Sequence, residues 1–558
     1  MFKSLRDWCT FHLESWMQRG ALHQLLIIAV LIGLVAGTAG TLVLMLGGNF
    51  PHPGAAIWWA FLRLTDPGYL GDDEGLLLRS VSTVVTVLGY VLFMGSLIAI
   101  MTQWLNARMR TLESGLTPIA IRDHILILGW TNRTSAIVHE LASAKERAQR
   151  FLRRRGVRTL RIVILAEHVS ATLRLELREQ LGKNWRHSQI IFRSGSSLRS
   201  EHLRRVNAAK ASVVVIPGAD FALGGAEAND TRVVKTLMSL ASLAQDATPP
   251  SYPRVVAEIF DVHKTPIVQY AYPGLLDVVP SDAFVSRLMA QNVRHRGLSY
   301  IYAELISHTY GNEVYVRTCP QFVGLGWRSI TQAFARAVPI GIVRCSTPGQ
   351  YEPLLNPSDD VVLMAEDRLV FLARHYEDTV PQADFRSDTA GHRETVRWEL
   401  SPVPLRRVLC LGWNHKIHTL LQEFSGYPGE SFQIDLLSVV PASERESSLL
   451  RHSFDPDRLE VRHLDGDYTL ATDLLQLDLA AYDNIVFLGS DWLESGQESD
   501  ARTVLGYVLL RALLPRDKPG PAILVELMDP DNARLFQQRP GEVIISPLIL
   551  SHMLAHVS

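Results

Sequence analysis

The chain has few cysteines, little net charge and no recognisable catalytic grouping. Its 558 residues include four cysteines, Cys9, Cys319, Cys345 and Cys410, which lie far apart and form no C-x-x-C pair. This spacing argues against a disulfide framework and against a structural zinc site. Lys and Arg number 55 and Asp and Glu 57, so the formal net charge of -2 gives no overall attraction for nucleic acid. We therefore expect no enzyme, no nucleic-acid partner and a chain that lies mostly in a reducing cytoplasm.

Two long apolar runs are the strongest signal that is present. Residues 21–46 contain no Asp, Glu, Lys or Arg, and residues 76–105 contain one formal charge, Arg79, near one end. At 1.5 Å per residue in a helix, both runs exceed a hydrocarbon core of roughly 30 Å. The first run is too long for a signal peptide and is followed by the second. Basic residues flank the pair at Lys3, Arg6, Arg19, Arg108 and Arg110. The sequence predicts two membrane spans with both flanks in the cytoplasm.

The segment between the spans is too short for another pair of crossings and too apolar for a plain loop. We predict a re-entrant pore helix and filter over residues 51–71, because Pro51 and Pro53 are typical of a helix start. The predicted selectivity filter is Thr65, Asp66, Pro67, Gly68 and Tyr69, in which Asp66 and backbone carbonyls favour cations. An extracellular hairpin is the alternative. The acidic run Asp72, Asp73 and Glu74 is either an outer vestibule or a solvated rim.

The second span contains candidate gating residues. Gly89 and Gly95 are candidate hinges, and Ile98 and Met101 are candidates for an apolar constriction that closes by dewetting. Glycines in membrane helices are equally often packing surfaces.

From His124 onward, short apolar runs alternate with amphipathic stretches. Six candidate strands, from HILILGW to DVVPSD, predict a doubly wound parallel sheet, and six more after Arg407, from RVLCLGW to EVIISP, repeat the pattern. The fold class is thus a two-span helical pore with tandem Rossmann-like domains and a small α+β lobe between them. The predicted divisions are a cytoplasmic segment 1–20, a pore domain 21–111, a first Rossmann-like lobe 112–298, a small lobe 299–378, a linker 379–404 and a second Rossmann-like lobe 405–558.

The junction LESGLTPIAIRDHILILGWTNRTSAIVHEL, residues 112–141, resembles the CASTOR/POLLUX family of ion channels. In that family a pore precedes paired RCK (regulator of conductance) domains, and the filter reads A-D-A-G-N or A-D-S-G-N. Asp66 and Gly68 match that filter, whereas Thr65, Pro67 and Tyr69 depart from it and leave the preferred ion open. The potassium-channel filter T-V-G-Y-G also differs, so we do not expect strict potassium selectivity. The resemblance implies a homotetramer in a cell membrane that passes cations.

Ligands of an open α/β sheet bind beyond the carboxyl ends of its strands. The loops GWTNRT after Leu128 and GWNHKI after Leu411 lack the second and third glycines of a dinucleotide fingerprint. Candidate ligand-binding residues at the strand ends are Gly129, Trp130, Glu167, Gly412 and Trp413. Because indole bulk works against phosphate approach, NAD or another nucleotide is the less favoured ligand.

A regulatory divalent cation is the favoured ligand, and the resembled family is regulated by calcium. The candidate oxygen ligands are Asp220, Glu227 and Asp230 in the first copy and Asp465, Asp467, Asp491 and Glu494 in the second. The second copy places Asp465-Gly466-Asp467 where the first has Arg193-Ser194-Gly195, which predicts different ligands. Surface acids without EF-hand spacing are more often simply solvated.

The basic run KERAQRFLRRRGVR, residues 145–158, is either a solvated helix face or a contact with anionic membrane lipid. Taken together, the predicted function is a ligand-gated cation channel subunit of the plasma or inner membrane. The alternative is a membrane-anchored, nucleotide-binding regulatory subunit of a separate cation transporter.

Overall fold

The structure is a computed structural model of the chain, and its described residues form two compact units. They are residues 21–46, 50–66, 73, 75–186, 188–221, 224–247, 250–306, 311–347, 350–382, 405–427, 429–450, 457–515, 520–536 and 541–557. The first unit is Met1–Gly115 and the second is Leu116–Ser558.

The first unit is helical. Its elements are α1 (Ala21–Met45), α2 (Pro53–Thr65), α3 (Leu76–Gly89), a π-helical turn (Tyr90–Gly95) and α4 (Ser96–Glu113). Two stretches, Leu25–Met45 and Leu78–Asn106, are long and apolar enough to cross a membrane. The two predicted spans coincide with these helices.

The short helix α2 packs between the two long ones. It begins at Pro53, where the lost N–H costs no hydrogen bond, and His52 caps it by accepting from the Ala55 N–H at 2.9 Å. Its apolar residues Ala60 and Leu64 join Ile32 and Ala36 of α1 and Val85 of α3 in one buried cluster.

The second unit contains two six-stranded parallel sheets with the same strand order. The orders are β3-β2-β1-β4-β5-β6 and β13-β12-β11-β14-β15-β16, the doubly wound Rossmann arrangement. The first sheet comprises β1 (Ile125–Leu128), β2 (Ile162–Ala166), β3 (Ile190–Ser194), β4 (Val213–Ile216), β5 (Arg254–Ile259) and β6 (Leu276–Pro280). A smaller antiparallel sheet follows, in the order β7-β10-β8-β9, with β7 (Glu313–Arg317), β8 (Val338–Thr347), β9 (Gln350–Leu355) and β10 (Arg368–Ala373). The last sheet comprises β11 (Arg406–Leu411), β12 (Phe432–Ser438), β13 (Leu459–Asp465), β14 (Asn484–Phe487), β15 (Ala522–Leu527) and β16 (Glu542–Ile545). The predicted fold class is confirmed.

Helices cover both faces of each parallel sheet, since the strands are buried on both sides. In the first copy they are α5 (Thr134–Ser143), α6 (Lys145–Arg155), α7 (Ala171–Leu181), α8 (Ser200–Arg205), α9 (Gly225–Gln245), α10 (Thr265–Tyr270) and α11 (Ser281–Arg294). The small lobe contributes α12 (Leu298–Ile306) and α13 (Trp327–Thr331). The second copy adds α14 (Ile417–Ser425), α15 (Ala442–Leu449), α16 (Ala471–Leu474), α17 (Gly496–Leu513) and α18 (Ser546–Val557).

The last helix of each copy packs on the first helix of the other copy. Helix α11 lies against α14, and α18 lies against α5, so one buried cluster contains residues of both sheets. The Ser286 hydroxyl donates to the Lys416 carbonyl at 3.2 Å, and the Ser551 hydroxyl donates to the Arg133 carbonyl at 3.1 Å. The two copies therefore exchange their last helices in an approximately two-fold symmetric manner.

Strand register corrects one alignment made from the sequence. Ala166 pairs with Ser194 in the first sheet, and Ser438 pairs with Asp465 in the second. Asp465-Gly466-Asp467 therefore corresponds to Ser194-Gly195-Ser196, one residue later than the sequence comparison placed it. The two glycines coincide because each leaves room for the following helix, where a Cβ would contact His202 or Asp473.

Candidate functional sites

Two of the predicted filter residues lie at the carboxyl end of α2. The Thr65 hydroxyl donates to the Phe61 carbonyl at 2.9 Å, and the exposed Asp66 follows in extended conformation. Pro67, Gly68 and Tyr69 lie outside the described residues. A helix that ends here presents its partly negative carbonyl end beside Asp66, which favours a cation.

A buried ion pair holds the chain just beyond the predicted filter. The Arg63 guanidinium contacts the Asp73 carboxylate at 2.8 Å, with exposed fractions of 2% and 3% for the two side chains. The Trp59 indole N–H donates to the same carboxylate at 3.0 Å. Arg79 donates to the Asp73 carbonyl at 2.9 Å, and Ser82 accepts from Arg63 at 3.1 Å. Asp73 is thus neither a solvated rim residue nor part of an outer vestibule, while Asp72 and Glu74 lie outside the described residues.

The predicted hinge glycines have different surroundings. A Cβ on Gly89 would lie 2.3 Å from the Leu64 carbonyl oxygen, so this glycine permits close approach of α3 to α2. A Cβ on Gly95 would have nothing within 4 Å. Gly89 itself has helical φ and ψ of -61° and -44°, and the π-helical turn begins directly after it. Ile98 and Met101 are exposed in this single chain. Gly89 therefore acts first as a packing residue.

A cavity of ≈ 600 Å³ opens at the carboxyl ends of β1 to β4. It lies where an α/β sheet of this topology receives ligands. The structure brings Gly129, Trp130 and Glu167 together in its lining, as the sequence predicts, and adds Ser196 and Arg232. Glu167 is exposed just beyond the end of β2. The cavity has the size and mixed polarity of a small-molecule site.

Backbone donors in the loops after β1 and β11 are bound by side chains of the protein itself. In the first copy, the Thr131 N–H donates to the Thr134 hydroxyl at 2.9 Å. In the second copy, the His415 N–H donates to the Asp491 carboxylate at 2.9 Å. Both loops begin with a glycine at positive φ, Gly129 at 121° and Gly412 at 111°. The Asp491 carboxylate thus accepts from the loop after β11 in the way that the anionic group of a ligand would.

Buried charges of alternating sign lie beside both loops, in one set for each copy. Arg133 contacts Asp220 at 2.8 Å and Glu258 at 2.9 Å, and Lys416 contacts Glu526 at 2.8 Å. Burial opposes ionisation of Asp220, but the charge and hydrogen bond of Arg133, together with Lys416 and Asn132, outweigh it and lower the pKa of that carboxyl. For Glu258 burial dominates and raises the pKa.

His415 lies between carboxylates of both copies. Its Nε2 is 3.1 Å from Asp282 and its Nδ1 is 2.6 Å from Asp491. Burial favours the neutral ring, yet Asp282 and Asp491 outweigh it and raise the pKa of His415 to about 10. The ring also stacks on Phe260 of the first copy, with centroids 5.1 Å apart.

The predicted divalent site is not assembled by the structure. Among the described residues, no group of three or more His, Cys, Asp or Glu side chains is placed to hold a metal ion. Asp465 pairs with Arg445 at 2.7 Å, and Asp467 pairs with Arg502 at 2.6 Å. The remaining candidates are Asp220 and Asp491 in the ion pairs above, Asp230 paired with Lys264 at 3.2 Å, and Glu227 and Glu494, which are exposed. These carboxylates therefore serve as counter-ions or surface groups rather than as one ligand set.

Sequence reasoning missed the two networks of buried charge. The sequence did contain a signal for the network in the α/β unit. Arg133 and Lys416 occupy equivalent loop positions. Glu258 and Glu526 occupy equivalent positions in β5 and β15. Charged residues at matching core positions of two repeats indicate mutual pairing. No comparable repeat marked Arg63 and Asp73.

Similarities to known proteins cover most of the chain. A family model described as "Castor and Pollux, part of voltage-gated ion channel" matches residues 282–388. The ion channel CASTOR of Lotus japonicus is 25% identical over 496 residues, which are 87% of this chain and 55% of that protein. The chain thus spans about half the length of the curated relatives it matches.

Solved structures resemble the fold. The human SLO3 gating ring aligns with a TM-score of 0.53 and 14% identity over 78% of this chain and 81% of its own. A structure of the GsuK channel bound to NAD covers 96% of this chain and 84% of its own, with 16% identity and a TM-score of 0.41. The tandem Rossmann-like architecture is thus shared with a channel gating ring.

Proposed function

From the relationship of this chain to the CASTOR and POLLUX family of ion channels, we propose that it is one subunit of a cation channel gated by its α/β unit. The observation that carries the proposal is the short helix α2. It packs between two helices of spanning length and ends at Asp66, and the chain is bound again at Asp73 by Arg63. A short apolar helix that ends beside a carboxylate, between two helices of spanning length, is what a channel with a re-entrant filter requires.

The proposed assembly is a homotetramer in a cell membrane. One chain supplies one re-entrant helix, and a pore on a symmetry axis requires identical copies that close into a ring. Four Asp66 carboxylates near that axis attract cations and repel one another. Because basic residues flank the two spans, the α/β unit lies on the cytoplasmic side.

The proposed gating ligand is a nucleoside phosphate in the cavity of the first copy. Glu167 follows β2, where a carboxylate can accept from ribose hydroxyls, and Arg232 lines the same cavity for a phosphate. In the second copy, the register places Val439 at the position of Glu167. Asp491 and Arg445 are also already engaged there, so the first copy is the better binding site.

Ion flux from liposomes that contain only this protein tests the channel. We expect passive cation flux, with Asp66→Asn altering relative permeability or divalent block while leaving the assembly intact. As a matched control, Asp246→Asn removes an exposed carboxylate of the α/β unit and should leave permeability unchanged. Absence of flux from correctly assembled protein would favour the regulatory-subunit alternative.

Calorimetric titration of the full chain with ADP and NADH tests the ligand. Glu167→Gln should weaken binding by roughly tenfold, since a hydrogen bond to a charged group contributes about 1.5 kcal/mol. Glu201→Gln changes an exposed carboxylate of α8 that does not line the cavity and should bind as the parent does. Equal binding by both variants would show that the nucleotide does not bind at this site.

A calcium titration tests the carboxylates of the second copy. The variant Asp465→Asn, Asp467→Asn should bind as much calcium as the parent does, because Arg445 and Arg502 neutralise these groups.

A further inference from the structure

We propose that a second cavity, at the opposite edge of the first sheet, binds a single-chain amphipathic anion such as a fatty acid. The cavity has a volume of ≈ 340 Å³ and lies beside Ile125, Val213 and Arg254, the first residues of β1, β4 and β5. It is separate from the cavity described above, which lies at the carboxyl ends of the strands. The inference does not depend on nucleotide binding.

The wall of this cavity is mainly hydrocarbon. Leu141 of α5, Ala148 and Phe151 of α6, and Leu160 and Val213 at the sheet edge line it. Its volume falls within the range of natural ligand pockets, which are apolar with a few placed polar groups. An apolar wall offers water few hydrogen-bond partners, so an acyl chain fits it better than solvent does.

The polar groups of the cavity are mostly cationic. Arg150, Arg155 and Arg254 line it. Arg254 pairs with Asp277 at 2.8 Å, and the Arg150 guanidinium lies 4.8 Å from the Tyr376 ring centre. Arg155 is exposed, and none of the ion pairs found among the described residues engages it. It is therefore the cation best placed to receive an anionic head group.

One carboxylate also faces the cavity, and two histidines of α18 lie beside it. Glu140 is 1% exposed and contacts His552 at 3.2 Å and His556 at 3.6 Å. Burial would raise the pKa of Glu140, but the two histidines lower it, so the group stays ionised and paired. An anionic head is thus directed away from Glu140 and toward the arginines. Since His556 belongs to α18, an occupied cavity also stabilises the packing of the second copy on the first.

Photolabelling of the full chain in amphipol, free of detergent, tests the proposal. The probe is palmitate carrying a diazirine on its acyl chain, with the labelled peptides mapped by mass spectrometry. We expect labelling within residues 141–160, displaced by unlabelled palmitate and by lysophosphatidate, and far less by hexadecanol, which has no charge. Stronger displacement by lysophosphatidate than by palmitate identifies a lipid phosphate head, and the reverse order identifies a carboxylate.

Charge reversal on α6 separates a specific contact from general attraction. Arg155→Glu should lower labelling at least about fivefold, because it replaces an ion pair by a repulsion. Arg153→Glu is the matched control, since it makes the same change in the last turn of the same helix but does not line the cavity. Ala148→Trp, which fills the cavity, should abolish labelling at unchanged melting temperature. Equal loss with both charge reversals, or labelling confined to residues 21–113, would overturn the proposal.

Discussion

At the scale of single residues, Arg63 and Asp73 lie in an environment with little tolerance for substitution. Both are almost fully buried, and each is the other's ionic partner. Such a pair adds little net stability over an apolar replacement, but the loss of one member leaves a buried charge uncompensated. The pair therefore acts chiefly to fix the position of the chain after the predicted filter.

We expect Asp73→Asn to destabilise the assembled protein by about 3 to 5 kcal/mol, with loss of cation flux. The measurement is the temperature at which the assembly dissociates, together with flux from liposomes. The double variant Arg63→Gln, Asp73→Asn should be more stable than the sum of the single changes predicts, because it leaves no lone charge. Arg79→Gln, which removes only a bond to the Asp73 carbonyl, is the milder control. Strict additivity of the two single changes would show that the pair is not coupled.

Sequence analysis placed several single residues at the ends of the elements where the structure has them, but it could not assign their partners. Glu167 was predicted at the end of β2, and it lines the first cavity there. Asp66 was predicted to follow the short apolar helix, and it lies directly after α2. The acidic run after the predicted filter was interpreted either as an outer vestibule or as a solvated rim. The structure instead shows Asp73 in a buried ion pair with Arg63. Burial of a carboxylate depends on which side chain from another helix reaches it, and spacing along the chain does not contain that information.

At the scale of elements, the second helical stretch of spanning length is divided by a π-helical turn. Tyr90–Gly95 accommodates one residue more per turn than α3 and α4, a feature often found at functional sites. It begins directly after Gly89, where α3 touches the end of α2. Gly40 makes the matching contact from α1, since a Cβ there would lie 2.8 Å from the Ile57 backbone. Helix α2 is thus held between two glycines.

Gly89→Ala should therefore destabilise the first unit by about 1 to 3 kcal/mol through overpacking, and should lower flux. Gly95→Ala is the matched control, because a Cβ there meets open space and the backbone is already helical. The comparison uses melting temperature in one lipid mixture and initial flux rates. If Gly95→Ala impairs flux more than Gly89→Ala does at equal stability, flexibility of the turn outweighs packing.

At the scale of the whole molecule, the duplicated lobes are joined by charge as well as by apolar contact. The exchange of α11 and α18 between the copies buries a shared core, and His415 adds an ionic link from Asp491 to Asp282 of the other copy. A protonated imidazole between two carboxylates is favourable only while the proton stays bound.

This link predicts a dependence of stability on pH. Because the pKa of His415 rises from 6.5 to about 10 on folding, its contribution is full below pH 6.5 and is lost as pH rises toward 10. Thermal melts of the α/β unit within the full chain, from pH 6 to pH 10, should show this fall, and His415→Gln should flatten it. His263→Gln, which changes an exposed histidine beside Asp261, should leave the slope unchanged. A parent slope equal to that of His415→Gln would contradict the ionic link.

The sequence by itself determined the order of elements, because hydrophobic period and length suffice to separate spanning helices, buried strands and amphipathic helices. It also determined the duplication and the strand ends at which Gly129 and Gly412 open their loops. Tertiary structure alone decided which carboxylates pair internally, that Asp220 faces Arg133 and Asp491 faces His415, and that the first copy keeps an open cavity. These outcomes depend on contacts between residues far apart in the chain. A buried charge is stable only beside an opposite charge, and the tertiary fold decides which opposite charge lies within reach.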